Sequence, residues 1–339
     1  MAPILEGMRT PQPWDVPDGL FRSAEVSVSP TVLSTAVRRG ALVRLIRDVY
    51  IHRSRYPDDP RQRHLQHAQA RQILNPELVA SHHTAALAHR LPLPDLGRAL
   101  IAPPHFTLPP APSRRSGTPR RVTLRPLTPA HVCTLPSGLR ATTAARTAID
   151  LAGHWDLPAG LIVVDAAALA KALTMVTADR LRGSLDEAIR SSTIAELQHA
   201  ASVAANRLSV RRLRRALEHA DPRRESPGES WSFGHFIDAG LPAPSMQPPI
   251  QVAGHVYYPD FGWEEFELFG EVDGAVKYGT SREPGAGFDR TLLAEAHRHH
   301  QIEDTGVRLI RWWVSDAFRR PRRMTAYVRS NLERRGWRG

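Results

Sequence analysis

The stretch Tyr258-Pro259-Asp260-Phe261, followed after a short turn by Leu268-Phe269-Gly270-Glu271-Val272-Asp273-Gly274, predicts the two strands of a hairpin. One aspartate lies on the first strand, and a Glu-x-Asp lies on the second. Three carboxylates at the edge of a small sheet suit a hard divalent cation such as Mg²⁺, which prefers oxygen ligands. Such a cation activates water and offsets phosphate charge, as phosphodiester hydrolysis requires. The same acids also fit ordinary turns and strand ends, and spacing alone favours that plainer interpretation.

The segments around this hairpin predict a small mixed sheet flanked by helices, in the order α-β-β-α-β-α. The first helix carries Glu229 at its start and is closed by Gly240. The predicted elements are a helix over 229–239, strands near 252–258 and 265–272, a helix over 289–301, a strand over 307–314 and a basic helix over 316–335.

The first 55 residues predict a small winged helix-turn-helix. Residues 20–26 are expected as the first helix of the pair. Residues 31–39 are expected as the recognition helix, because Ser29-Pro30 is a typical helix start and Gly40 a typical stop. Two strands over 41–46 and 49–51 follow, with Arg47-Asp48 as the wing turn.

A recognition helix with a basic wing is a geometry that docks on DNA. The candidate DNA-contacting side chains are Arg38, Arg39, Arg44 and Arg47. A winged helix used only for packing or for protein contacts is the alternative.

The composition favours a nucleic-acid partner. The 339 residues include 45 Lys and Arg against 34 Asp and Glu, a formal net charge of +11. A basic surface of this size attracts phosphate backbones. All of the basic residues except Lys171 and Lys277 are arginine, which contacts phosphate and guanine in a bidentate manner. A GC-rich genome also favours arginine codons and explains that ratio equally well, but it explains the net charge less well.

The middle of the chain predicts two further regions, so that the whole is an α+β multidomain protein. Residues 56–140 are expected as a small α/β region. Its part over 91–135 is expected as irregular β structure, with short apolar runs such as 99–102 and an exposed basic loop at 114–121. Residues 141–222 are expected as a helical connector that includes a buried helix over 161–173. The arginines Arg211, Arg212, Arg214 and Arg215 form either a strip facing DNA or a solvated face. A linker over 223–228 then opens the C-terminal domain, 223–339.

The single cysteine, Cys133, excludes an intrachain disulfide and a multi-cysteine zinc site and fits a reducing cytoplasm. Residues 1–13 lack the basic and apolar pattern of a secretory signal. No apolar run reaches the roughly 18 residues of a membrane helix. We therefore expect a cytoplasmic protein without a membrane partner.

Several short motifs in the last third of the chain together resemble the PD-(D/E)xK nuclease core. The version they resemble most is the very-short-patch-repair-like domain found in many actinobacterial proteins. The motifs are Ser226-Pro227-Gly228-Glu229-Ser230, Gly240-Leu241-Pro242 with Pro244 and Gln247, Pro259-Asp260-Phe261, Gly270-Glu271-Val272-Asp273-Gly274, Lys277-Tyr278, and Glu295 with Arg298 before Gly306-Val307-Arg308-Leu309-Ile310-Arg311.

This resemblance implies a fold like that of restriction endonucleases and a set of roles. Asp260 and Glu271 would ligate Mg²⁺ or Mn²⁺, Asp273 would join them, and Glu229 would complete the shell directly or through water. Lys277 would orient water or the scissile phosphate. Arg298 and Arg311 would clamp phosphate, with anchoring of the strand end as the alternative role for Arg311.

One departure from the nuclease pattern bears on activity. The residue two positions after the glutamate is usually lysine, and here it is Asp273, with Lys277 four positions further on. Lys277 is either a migrated catalytic lysine or a surface residue. The domain is accordingly either an altered nuclease or an inactive one retained for DNA binding.

The first two-thirds of the chain resemble AbiEi-type antitoxins of type IV toxin–antitoxin systems. The markers are Gly40-Ala41-Leu42-Val43-Arg44-Leu45 with Val49-Tyr50, residues 81–87, and Arg146-Thr147 to Asp150-Leu151 followed by Asp165-Ala166-Ala167. Such antitoxins bind double-stranded DNA and repress their own promoter, and the resemblance implies a possible toxin partner. The two expectations are thus a DNA-binding metal-dependent endonuclease and an antitoxin-like repressor with an inactive nuclease fold.

Overall fold

The computed structural model describes residues 17–108, 122–124, 127–174, 187–204, 210–252, 254–274, 302 and 306–339. Within these ranges the protein is a mixed α+β chain with eleven α-helices and several small sheets, which confirms the predicted α+β class. The first compact unit comprises Met1–His89 with Asp95–Thr143, and the second comprises Arg90–Pro94 with Ala144–Gly339. No helix in the described ranges is long and apolar enough to cross a membrane.

The first unit begins with one helix and a three-stranded antiparallel sheet. Ser29 caps α1 (Pro30–Arg38) by accepting the N–H of Val32, and Gly40 follows the helix at a φ of 75°. The strands pair in the order β1-β3-β2, and a two-residue turn joins β2 to β3. The strands are β1 (Phe21–Arg22), β2 (Leu42–Ile46) and β3 (Val49–His52). The predicted helix over 31–39 and the two strands after it are therefore present.

The helix predicted over 20–26 is wrong. The segment is β1 followed by a single 3-10 turn, Ser23–Glu25. Phe21 is fully buried, and its ring stacks on that of Tyr50 with 5.9 Å between the centroids. This packing holds Phe21 in the sheet. The Ser23 hydroxyl donates to Asp48 in the β2–β3 turn. Tertiary pairing therefore overrides the local helical pattern.

The rest of the first unit is a five-stranded sheet with three helices. Its strands lie in the order β6-β5-β4-β8-β7. Leu96–Ile101 is a helix, so the expectation that the apolar run 99–102 belongs to an irregular β region is wrong there. The basic loop 114–121 lies outside the described residues. The elements are α2 (Pro60–Leu74), β4 (Val79–Ala80), α3 (His82–His89), α4 (Leu96–Ile101), β5 (Phe106–Leu108), β6 (Val122–Leu124), β7 (Val132–Thr134) and β8 (Arg140–Thr142).

The second unit opens with a helical region, as predicted. The helix predicted over 161–173 is present as α6, and most of its side chains are buried. The Asp156 side chain caps it by accepting the N–H of Ala159 at 3.2 Å. The helices are α5 (Ala144–Ala152), α6 (Leu157–Ala172), α7 (Glu187–Ala204) and α8 (Val210–Glu218).

A four-stranded sheet follows, in the order β14-β13-β12-β9. Its first three strands along the chain run antiparallel, whereas β13 and β14 are parallel. A separate hairpin pairs β10 with β11. The elements are α9 (Pro227–Asp238), β9 (Ser245–Met246), β10 (Ile250–Val252), β11 (His255–Tyr257), β12 (Phe261–Trp263), β13 (Leu268–Asp273), β14 (Arg308–Trp313), α10 (Val314–Arg319) and α11 (Pro321–Arg334).

The hairpin predicted from the two acidic stretches is confirmed as β12 paired with β13. Three predicted boundaries are wrong. The basic helix expected over 316–335 is divided at Arg320 into α10 and α11. The strand expected over 252–258 is divided between β10 and β11, with Gly254 between them at a φ of 81°. The strand expected from 265 begins only at Leu268, because Glu264–Phe266 forms a 3-10 turn. The helix predicted over 289–301 lies outside the described residues.

Aromatic rings hold α9 against one face of the four-stranded sheet. The Phe236 ring lies edge-on to those of Phe261, Trp263 and Trp312, with centroid separations of 5.4, 5.5 and 5.6 Å. The Trp312 indole also donates to the hydroxyl of Ser232 on α9, at 3.0 Å. This packing fixes α9 relative to the ends of β12, β13 and β14.

A buried ion pair joins α6 to the segment before α9. Arg224 donates to both carboxylate oxygens of Asp165, at 2.6 and 2.9 Å, and neither side chain is more than 1% exposed. The N–H of Asp221 adds a third hydrogen bond to Asp165, at 2.9 Å. The Arg224 guanidinium also lies over the Phe233 ring, 4.2 Å from its centroid. The segment expected as a linker over 223–228 is therefore packed into the core at Arg224.

We expect Arg224→Met to destabilise the second unit by about 3–5 kcal/mol, because the Asp165 carboxylate would stay buried without its cation. Urea unfolding followed by tryptophan fluorescence measures this, since Trp231, Trp263 and Trp312 all lie in this unit. The matched control is Arg215→Met. Arg215 pairs with Asp238 at 2.7 Å where both side chains are about a third or more exposed, so its loss should cost less than about 1 kcal/mol. Equal losses in the two variants would contradict the importance of the buried pair.

Candidate active site

Strand pairing places Asp260 beside Glu271. Phe261 pairs with Gly270 across the β12–β13 ladder, so the residues one step outward, Asp260 and Glu271, face each other. Two hydrogen bonds fix Asp260. Its carboxylate accepts the N–H of Val272 at 2.7 Å, and its carbonyl accepts the N–H of Gln247 at 3.2 Å. The two acids singled out for the first and second strands thus lie at one end of the sheet.

Glu271 and Asp273 share a face of β13, because side chains two apart on a strand point the same way. A Cβ added at Gly270, the residue before Glu271, would meet the Trp312 ring, which belongs to the face covered by α9. Glu271 and Asp273 therefore point to the opposite face. Asp273 is buried and Glu271 is half-buried.

Arg311 contacts Glu271 directly. The two residues are partners in the parallel β13–β14 register, and the Arg311 guanidinium donates to the Glu271 carboxylate. Arg311 had been predicted to clamp phosphate or to anchor the strand end. Its ion pair with Glu271 corresponds to an anchoring contact, and it brings one positive charge to the acidic end of the sheet.

Glu229 lies in the first turn of α9. Ser226 caps this helix by accepting the N–H of Glu229 at 3.2 Å, and the N–H of Glu225 donates to the Glu229 carboxylate at 3.0 Å. Glu229 is only 6% exposed. Burial, and then the negative charge of Asp260, raises the pKa of Glu229 to about 8. The Glu229 carboxyl is therefore close enough to Asp260 for the charge of Asp260 to act on it.

The predicted metal ligands fit a hard cation in chemical type, since all their donors are carboxylate oxygens. Burial of the Glu229 carboxyl beside Asp260 makes this a location where an added positive charge is favourable. Within the described ranges, however, no group of three or more His, Cys, Asp or Glu side chains is arranged closely enough to hold a metal ion. Lys277 and Arg298 lie outside the described residues.

The four arginines predicted to contact DNA are all exposed. Arg38 lies at the end of α1, Arg44 on β2 and Arg47 in the β2–β3 turn. Arg38 donates to the Thr35 hydroxyl at 3.2 Å. Arg39 follows Arg38 and is exposed as well. In the described part of the chain, none of these four arginines forms an ion pair. In the arginine cluster of α8, by contrast, Arg212 donates to the His154 carbonyl and Arg215 pairs with Asp238.

Two neighbours of the carboxylates were not predicted as site residues. Glu225 precedes α9 and Gln247 follows β9. Gln247 donates its side-chain amide to the Glu225 carboxylate at 3.2 Å. Gln247 is part of the nuclease-like motif but has no role assigned from the sequence. Its backbone is left-handed, at a φ of 49°, and no sequence signal predicts this, because glycine or asparagine is the usual residue there.

The chain has relatives among mycobacterial proteins. No protein-family model matches it. It is 27% identical over 201 residues to two proteins of Mycobacterium tuberculosis, "Uncharacterized protein Rv2248" of strain H37Rv and "Uncharacterized protein MT2308" of strain CDC 1551. The alignment covers 58% of this chain and 64% of each relative, so the chain spans less than two-thirds of the length of the curated relatives that it matches.

We expect Gly270→Ala to destabilise the second unit by about 1–3 kcal/mol, the usual cost of overpacking a core. An added Cβ would lie 2.8 Å from two ring atoms of Trp312, which is itself buried against α9. Urea unfolding and the Trp emission maximum measure the effect. Gly274→Ala, four residues along the same motif, is the control, because a Cβ there meets nothing within 4 Å in the described part of the chain. Equal stability of the two variants would refute the close packing.

Proposed function

We propose that this chain is a DNA-binding protein whose C-terminal part is a metal-dependent, endonuclease-like domain that hydrolyses phosphodiester bonds. The observation that carries the proposal is the position of two acids, Asp260 and Glu271, on neighbouring strands at one end of the four-stranded sheet. Asp260 faces Glu271 across the β12–β13 ladder, Asp273 shares the face of Glu271, and Glu229 lies within electrostatic reach of Asp260.

The topology of the second unit supports this proposal. Three antiparallel strands lead to a fourth that is parallel to the third, and α9 packs across one face. The PD-(D/E)xK resemblance likewise implies a small mixed sheet with Glu229 on a helix, Asp260 on one strand and Glu271 on the next. Because α9 and the strand ends share one aromatic core, these acids are held on rigid elements.

In this proposal Asp260 and Glu271 would hold Mg²⁺ or Mn²⁺, with Asp273 joining them and Glu229 completing the shell directly or through water. The bound cation would supply water activation and would neutralise charge on the phosphate. The N–H of Val272 keeps the Asp260 carboxylate aimed across the ladder. Arg311 orients Glu271 and places a guanidinium where an incoming phosphate needs positive charge. Lys277 would orient water or the scissile phosphate.

The first unit supports DNA binding. A helix that ends in Arg38 and Arg39 precedes a hairpin that carries Arg44 and Arg47, and the sheet order is β1-β3-β2. A winged helix docks with its recognition helix in the major groove and its wing on the backbone. Exposed arginines without acidic partners in the described ranges are free to contact phosphate.

The second candidate function is an antitoxin-like repressor that keeps an inactive nuclease fold. One observation favours it. Arg311 already neutralises Glu271, and Asp273 occupies the position where the nuclease pattern has lysine. Such a protein would grip double-stranded DNA without cutting it. A toxin partner is suggested only by the resemblance of the first two-thirds of the chain.

To separate the two candidates, the full chain is incubated with supercoiled and linear DNA in Mg²⁺, Mn²⁺ or EDTA. We expect metal-dependent cleavage that falls by more than about 100-fold in Asp260→Asn and in Glu271→Gln, since even outer-shell partners of a metal cost roughly 10–100-fold. Glu265→Gln is the control, because Glu265 is exposed in the 3-10 turn between β12 and β13. Intact DNA that is bound equally by every variant would overturn the enzyme and leave the repressor.

We expect the double change Arg38→Gln with Arg39→Gln to weaken DNA binding and to reduce the slope of log K against log salt by about 1.8, because each lost phosphate contact removes roughly 0.9. Fluorescence anisotropy with a duplex probe at several salt concentrations measures the slope. The control removes the same charge with Arg53→Gln and Arg55→Gln, since Arg55 pairs with Asp18 and Arg53 lies over Tyr56. Equal slopes for the two double variants would rule out α1 as the contacting helix.

A further inference from the structure

Gln247 combines three unusual features beside the carboxylates. It follows β9 with a left-handed backbone, at a φ of 49°, although it is neither glycine nor asparagine. The residue is buried, with only 5% of its surface exposed. Its amide oxygen Oε1 is buried and has no hydrogen-bond partner in the described part of the chain.

The backbone of Gln247 is tied to Asp260. Its N–H donates to the Asp260 carbonyl at 3.2 Å, and Pro248 and Pro249 restrict the residues that follow. A left-handed conformation at a residue with a long side chain persists only where its surroundings enforce it, and such positions cluster at functional sites. The strand end that carries Asp260 is therefore braced by a strained residue.

The side chain of Gln247 extends this link to Glu229. Its Nε2 donates to Glu225 Oε1 at 3.2 Å, and the N–H of Glu225 donates to the Glu229 carboxylate at 3.0 Å. This contact decides the orientation of the amide, because an oxygen placed there would face a carboxylate oxygen. Oε1 is therefore the acceptor that remains.

A buried acceptor without a donor is costly, so native proteins seldom leave one unsatisfied. Mg²⁺ and Mn²⁺ ions held by one or two carboxylates keep several bound waters, and each of these waters donates hydrogen bonds to nearby oxygens. Polar groups that receive such bonds orient the site and raise its affinity for the metal.

We propose that Gln247 is a positioning residue of the carboxylate site, whose Oε1 accepts a hydrogen bond from a water molecule carried by the divalent cation. This role rests on the proposed metal-dependent function and adds a residue from outside the acidic strands to it. Gln247 thereby connects the cation's water to Glu229, through Glu225, and to the backbone of Asp260.

Mn²⁺ binding to the full chain without DNA tests the role, with free Mn²⁺ followed by electron paramagnetic resonance. We expect Gln247→Gly to raise the Kd by about tenfold, within the 10–100-fold typical of outer-shell partners. Glycine relaxes the left-handed backbone, so the Tm in EDTA should not fall. Gln247→Glu keeps an acceptor oxygen in place of Oε1 but sets a second oxygen against Glu225, so it should bind Mn²⁺ more tightly than Gln247→Gly. Gln251→Ala, at an exposed position on β10, should match the wild type.

The outcomes separate this inference from the function on which it rests. If Asp260→Asn abolishes Mn²⁺ binding while Gln247→Gly leaves the Kd unchanged, the metal site stands and the role of Gln247 is overturned. If Gln247→Glu binds as weakly as Gln247→Gly, the amide acts only through its donation to Glu225, and the acceptor role is overturned. If the wild type binds no Mn²⁺, both proposals fail together.

Discussion

The Asp165–Arg224 ion pair is the constraint on which the second unit depends. Moving two charges out of water costs several kcal/mol each, so the pair holds only because both oxygens of Asp165 are hydrogen-bonded. It fixes the chain two residues before Ser226, the cap of α9. The same helix approaches α6 so closely that a Cβ at Gly234 would lie 2.5 Å from Pro158. Glu229 is therefore placed by a contact made far from it along the sequence.

The acidic end of the sheet is held together against its own repulsion. Asp260 lies across the β12–β13 ladder from Glu271, Glu229 is within electrostatic reach of Asp260, and Arg311 ion-pairs with Glu271. Donors such as the N–H of Val272 and the N–H of Glu225 offset part of the repulsion. Burial, and then the charge of Asp260, raises the pKa of Glu229 to about 8. In the proposed nuclease, a bound divalent cation would offset the negative charge of these carboxylates.

Local signals in the sequence were sufficient where structure is local. Ser29-Pro30 and Gly40 delimited α1, and the two acidic stretches indicated the β12–β13 hairpin. The same signals gave wrong predictions where the structure of a segment depends on residues far away in the sequence. Phe21 belongs to a strand because it packs beside Tyr50. Arg224 is buried because it pairs with Asp165, which lies 59 residues away in the sequence. The left-handed backbone of Gln247 could not be predicted either, since it is enforced by the pairing of its N–H with Asp260.

The parallel pairing of β13 with β14 also governs when the acidic end can be completed during folding. β9, β12 and β13 are near neighbours in sequence, whereas β14 is separated from β13 by residues 274–307. Parallel strands need such a crossover, and contacts across long separations form late because closing the loop costs entropy. Arg311 and Trp312 both arrive with β14. A nascent chain that has not yet reached residue 308 therefore carries the acids on an unpaired strand edge, without the guanidinium or the indole that later secures them, and that edge is open to misassociation.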